Sequence, residues 1–184
     1  MQRYLLLLIV HLTVANAWAQ SSDWFSTPLY AEATLKESAF TDDGEVLGSF
    51  AIYISENALR QDTTFSGATG TVIIKLEEGE ATVYVRYPGE TSYSLSTLDE
   101  ALNSFVVILP ISSSFSPCQQ GIACEQLGKE EVLGRAAEIW QVSDATVWMD
   151  KETRLTLKAD LVGDFYSVEV LELGPQAAEL FEVE

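Results

Sequence analysis

The chain has 184 residues, with 10 Lys and Arg against 28 Asp and Glu, a net charge of −18 at pH 7, and one histidine. So acidic a surface repels phosphate backbones and anionic lipid heads, which argues against nucleic-acid binding and against a polybasic membrane patch. The histidine, His11, falls in a leader segment, and a mature chain without histidine builds neither a Ser/His or Cys/His dyad nor a histidine zinc site.

Residues 1–19 are organised as a cleavable export signal. Met1, Gln2 and Arg3 give a short positive start and residues 5–10 an apolar run; Ala15-Asn16-Ala17 or Ala17-Trp18-Ala19 supplies a small-x-small cleavage site. The run is too short to span a bilayer, so no stable membrane insertion is expected after cleavage. Residues 20–184 then make one domain on size grounds. No cysteine stands near the cut to be acylated, so a soluble product in the periplasm is expected, with release outside the cell as the alternative.

Period-two alternation dominates the mature chain. Leu29, Ala31, Ala33 and Leu35 alternate with Tyr30, Glu32, Thr34 and Lys36 as a half-buried strand. Thr41-Asp42-Asp43-Gly44 marks a tight reversal. The strand over 45–55 places Val46, Gly48, Phe50, Ile52 and Ile54 on one face, and 57–65 reads as a more polar strand. After a loop at 66–70, Val72, Ile74 and Leu76 share a face and reverse through Glu77-Glu78-Gly79-Glu80 into Ala81, Val83, Val85 and Tyr87. Pro88-Gly89 turns the chain and 93–96 continues the sheet.

From Thr97 the period changes. Leu98, Ala101, Leu102, Phe105 and Leu109 recur at helical spacing, Thr97 to Glu100 fits a capping box, and Pro110 ends the segment. An irregular stretch to Cys124 contains Ser-Pro-Cys-Gln-Gln-Gly-Ile-Ala-Cys. In an oxidising compartment Cys118 and Cys124 are expected to pair as a local disulfide; a redox pair and a thiolate metal site are the weaker readings. Strands follow over 126–133, 135–142, 146–150, 154–161 and 165–173, and a short helix over 176–181, with Pro175 in its first turn.

Short connections favour an antiparallel meander. About ten to eleven strands with one apolar face must curl, because twist accumulates along the sheet. A closed barrel, a sandwich and a bent open sheet all satisfy the pattern, and the amphipathic segment after Thr97 favours the last, since its apolar stripe needs a surface to cover. The expected fold is mainly β (α+β): a strongly curved antiparallel sheet forming a half-open barrel, with one or two helices over the concave face.

Particular strings then carry a resemblance. They are Ile52-Tyr53-Ile54 through Ala58-Leu59-Arg60, the hairpin Val72-Ile73-Ile74-Lys75-Leu76 to Val83-Tyr84-Val85, and Gly134-Arg135-Ala136-Ala137-Glu138-Ile139-Trp140. Val147-Trp148-Met149-Asp150-Lys151 and Gly174-Pro175-Gln176-Ala177-Ala178-Glu179-Leu180-Phe181 follow in the same order. Together they resemble an uncharacterised envelope family related to the outer-membrane lipoprotein-sorting carriers. The resemblance implies a half-open barrel whose cavity shields acyl chains, and an arginine on an early strand, here Arg60, that contacts a lid or a lipid headgroup. The cysteine loop stands where a lid would be, a departure that bears on carrier activity more than on fold.

The face expected to line such a cavity, or to pack as core, comprises Phe50, Ile52, Ile54, Val72, Ile74, Val83, Val85, Trp140, Leu155 and Leu157. Arg60 is otherwise read as a surface salt-bridge partner. The acidic runs at 42–45 and 77–80 lack calcium-loop spacing, and no spacing singles out a catalytic carboxylate pair. No catalytic residue, metal or cofactor is expected. The leading expectation is a non-catalytic carrier or chaperone for the acyl chains of lipid or lipoprotein, with an envelope protein partner also open; the alternative is an envelope scaffold module with a filled core.

Overall fold

The structure is a computed structural model that describes residues 25, 27–37, 45–77, 80–104, 123–161 and 163–183. Its elements in chain order are β1 (Leu29–Glu37), β2 (Val46–Ile54), β3 (Ala58–Phe65), β4 (Ala68–Glu77), β5 (Glu80–Arg86), β6 (Ser94–Ser96), α1 (Leu98–Ser104), β7 (Cys124–Val132), β8 (Arg135–Val142), β9 (Ala145–Asp150), β10 (Thr156–Leu161), β11 (Asp164–Leu173) and a 3-10 turn (Ala178–Phe181). The eleven strands among the described residues form one sheet in the order β6-β5-β4-β3-β2-β1-β11-β10-β9-β8-β7.

The sheet is two meanders, β1 to β6 and β7 to β11, joined at the centre by antiparallel pairing of β1 with β11. Its edges, β6 and β7, do not pair with each other, so the barrel stays open, the arrangement that the amphipathic segment after Thr97 favours. They are consecutive in the chain, and the connection between them carries α1.

Turn chemistry fixes the register. Ser66 and Gly67, at φ 51 and 77, make a two-residue reversal, so β4 begins at Ala68 and the loop expected over 66–70 shrinks to a tight turn. Leu133 and Gly134, at φ 54 and 72, do the same between β7 and β8. The expected strand therefore loses Leu133 to the turn. Val46 also departs from expectation: a register shift between Leu35 and Lys36 turns it out of the apolar face, and it is 55% exposed.

Elsewhere the alternation holds. Leu29, Ile54, Leu59, Ile74 and Val83 are cross-strand neighbours in one row, and Ala31, Ile52, Gln61, Val72 and Val85 form the next. All ten residues are buried. A third row sets Gly48 between Leu35 and Phe65, and the Phe65 ring lies so close that a Cβ at Gly48 would stand 2.3 Å from it. Glycine is therefore required here by packing.

The helix starts as the capping box demands. The Thr97 N–H donates to Glu100 Oε2 at 3.0 Å and the Glu100 N–H donates to Thr97 Oγ1 at 3.1 Å. Described helix ends at Ser104, and the positions expected to continue it, Phe105 and Leu109, lie outside the described residues. At the C terminus the expected helix is a single 3-10 turn. Pro175 precedes it rather than opening it, because Ala177, at φ −61 and ψ 132, is still extended.

Candidate binding face

Nine of the ten residues expected to line the face, all except Trp140, belong to one continuous buried cluster and are no more than 3% exposed. Leu98 of α1 packs against this cluster and Ala101 is buried within it, so the helix lies on the apolar side of the sheet. Trp140, half-buried on β8, pairs with Val147, which packs against the cluster.

The apolar face contains polar groups that alternation alone does not reveal. Gln61 is fully buried, and its Nε2 donates to Thr63 Oγ1 at 2.7 Å. Tyr166 is 4% exposed, packs edge-on against Phe50 with ring centroids 6.0 Å apart, and has a buried hydroxyl with no hydrogen-bond partner among the described residues. Burial pushes this phenol far above its ordinary range, so it stays protonated. Trp140 Nε1 is likewise buried, with no partner among the described residues. Each such donor costs about 1–3 kcal/mol in a folded chain.

These two donors lie in one row. Tyr166 pairs with Leu35 on one side and Ala159 on the other; Ala159 pairs with Val147, and Val147 with Trp140. Directly paired residues share a sheet face. The row therefore reads Tyr166, Ala159, Val147, Trp140: two donors flanking two smaller side chains. Trp140 is among the residues that the sequence places on this face and Tyr166 is not, although the buried positions Tyr166 and Val168 alternate on β11.

Arg60 stands elsewhere. It alternates with the buried Leu59 and Gln61 on β3 and projects to the opposite face. There it forms a two-pronged ion pair with Asp62, at 2.9 Å for the closest contact, and its Nη1 donates to the Leu180 carbonyl at 3.0 Å, beside the buried Phe181. Its guanidinium thus holds the C-terminal 3-10 turn against the outside of the sheet. A shallow depression on that side is lined by Glu32, Thr34, Ser49, Asp62, Thr64 and Glu169, among others. Its carboxylates are engaged: Glu32 by Tyr30, Glu169 by Thr34 and Ser167, and Asp62 by Arg60 and Thr71.

Cys124 opens β7 and is not a free thiol, and Cys118 lies outside the described residues. So do the expected signal at 1–19 and much of both acidic runs, at 42–44 and 78–79. Among the described residues, no group of three or more His, Cys, Asp or Glu is placed to hold a metal, and no helix is long and apolar enough to cross a membrane.

No family model matches the chain, and no curated protein matches it. Solved structures do. The MucA/MucB complex of Pseudomonas aeruginosa matches at 19% identity and a TM-score of 0.44, over 92% of this chain and 59% of that one. PNGF-II matches at 8% identity and 0.53, over 84% of this chain and 29% of that one. An outer-membrane lipoprotein-sorting protein domain from Vibrio parahaemolyticus matches at 12% identity and 0.32, over 94% and 95%. The chain thus spans less than two thirds of each of the first two. At such identities a likeness bears on the fold alone, and only the PNGF-II match has a TM-score above 0.5 among the three.

Proposed function

We propose that the chain is an exported envelope protein of the periplasm that holds the acyl chains of a lipid or lipoprotein on the apolar face of its open sheet, without catalysis. One observation carries this reading: residues from both halves of an unclosed sheet, Ile52 and Ile74 in one and Leu157 and Ala159 in the other, form a single apolar cluster with a helix laid on it. Each methylene buried there gains about 0.8 kcal/mol, so a chain of ordinary length is held without a recognition motif. The expected signal at 1–19 brings the protein to the envelope, its net charge of −18 keeps it off anionic membranes between encounters, and a Cys118–Cys124 disulfide closes the loop before β7.

A scaffold with a filled core is the second reading, favoured by the near-complete burial of the lining residues. Native mass spectrometry of protein gently purified from the envelope separates the two. The carrier reading expects a population heavier by the mass of one lipid; a bare chain accompanied by a single protein partner supports the scaffold.

A further inference from the structure

We propose that β7, the long edge of the sheet, takes up an extended basic segment of a partner protein as an added strand. Among the described residues β7 ends the strand order and pairs only with β8, so the backbone donors and acceptors along its other side meet no strand. It runs for 9 residues, against 3 in the opposite edge β6, which is too short to template a partner. Glu125, Gln126, Leu127, Lys129, Glu130 and Glu131 are all exposed. Leu127 and, in the turn beyond the strand, Leu133 are large apolar side chains left 53% and 47% exposed. Where a strand is added to a sheet edge, main-chain pairing supplies affinity and the flanking side chains choose the partner.

The charges on β7 make that choice. Its carboxylates are Glu125, Glu130 and Glu131, and its one cation, Lys129, stands opposite Glu138 of β8. Glu130 accepts from Trp148 Nε1 at 2.6 Å, whereas Glu125 and Glu131 have no hydrogen-bond or ion-pair partner among the described residues. A second copy of the chain is therefore a poor occupant. Antiparallel pairing about Lys129, Glu130 or Glu131 sets that residue against itself, and pairing about Gly128 sets Glu125 against Glu131. Charges on an edge keep identical chains apart in this way. A strand bearing lysine or arginine meets opposite charge at the same positions, on a chain of net charge −18, and apolar residues between its cations cover Leu127 and Leu133. The bulge in β7 lies between Gln126 and Gly128, so Gly128 to Val132 remain a regular template.

The edge is a different surface from the apolar face, and its test leaves the acyl-chain reading untouched. Three labelled, capped heptapeptides serve as probes: one of alternating lysine and valine, an analogue with glutamate for lysine, and a lysine analogue methylated at every peptide nitrogen, which keeps the charge and loses the donors. Fluorescence polarisation should show the first bound about tenfold more tightly than either analogue, more weakly as salt rises, and amide exchange should slow over 124–132 when it binds. Glu125→Lys combined with Glu131→Lys, both on exposed positions, should weaken the lysine peptide about tenfold and turn the preference toward the glutamate peptide. Binding of none of the peptides, equal binding of the methylated analogue, or protection that falls outside 124–132 overturns the proposal. An unchanged affinity in the folded double variant does the same, and should that variant not fold, the exchange map of the wild-type protein decides alone.

Discussion

Arg135 Nη2 donates to Asp150 Oδ2 at 2.9 Å, joining the first residue of β8 to the last of β9, where the carboxylate is 2% exposed. The same oxygen accepts from the Thr153 N–H at 2.8 Å and from Thr153 Oγ1 at 2.6 Å, which organises the turn into β10. Asp150→Asn should therefore cost about 2–3 kcal/mol, measured by urea unfolding, because it leaves a partly buried guanidinium and a turn amide poorly matched.

Acid should act on the same group. Burial raises the Asp150 pKa, but the hydrogen bonds from Arg135 and Thr153 and the Arg135 charge outweigh it, so the folded value lies below the ordinary one. A depressed folded pKa contributes stability that is present above the ordinary aspartate value, near about 4, and is lost as pH falls through the folded value. The stability difference between wild type and Asp150→Asn should narrow below about pH 4; a difference that stays constant down to pH 2 would contradict the assignment.

Gly48→Ala should destabilise by about 1–3 kcal/mol through overpacking against the Phe65 ring. Pairing it with Phe65→Leu should recover part of the loss, and thermal melts of the two single variants and the double variant measure the coupling.

Arg60→Ala should loosen the C-terminal 3-10 turn while leaving uptake of an apolar probe intact, because the guanidinium lies on the sheet face away from the buried cluster. Faster amide exchange over 178–183 with unchanged probe binding is the expected result. A loss of binding without change at the C terminus would return Arg60 to the role of lid or headgroup contact.

Thr97→Ala should cost about 1 kcal/mol locally and speed amide exchange at the start of α1. Glu100 is held below its usual range by hydrogen bonds from the Thr97 N–H, the Thr97 hydroxyl and Ser96. Its contribution to the cap is present above the ordinary glutamate range and fades as pH falls below it.

Much of this fold is legible in the sequence because a two-residue period is a local property. Ala31, Ala33 and Leu35, or Ile52 and Ile54, declare their face without reference to any other strand. The closure of the two meanders by β1 and β11 is not legible in this way: Leu29 and Leu173 are paired across almost the whole chain. Val46 and Leu133 depart from the alternation for local reasons, one a register shift and the other a positive-φ turn that leucine rarely enters. Tyr166 and Trp140 show a deeper limit. Their alternation is visible, but whether a buried donor finds an acceptor depends on every neighbour packed around it.

The central claim is that the apolar face of the open sheet is the working surface, and photocrosslinking tests it most directly. The protein would be irradiated with a lysophosphatidylcholine whose acyl chain carries a diazirine, and the adducts mapped by peptide mass spectrometry. Adducts concentrated on the strand peptides carrying Phe50 and Ile52, Ile74, and Leu157 and Ala159, and competed away by unlabelled lipid, are the expected result. Labelling confined to the outer-face positions around Arg60 and Tyr84, or none that unlabelled lipid competes, would contradict it.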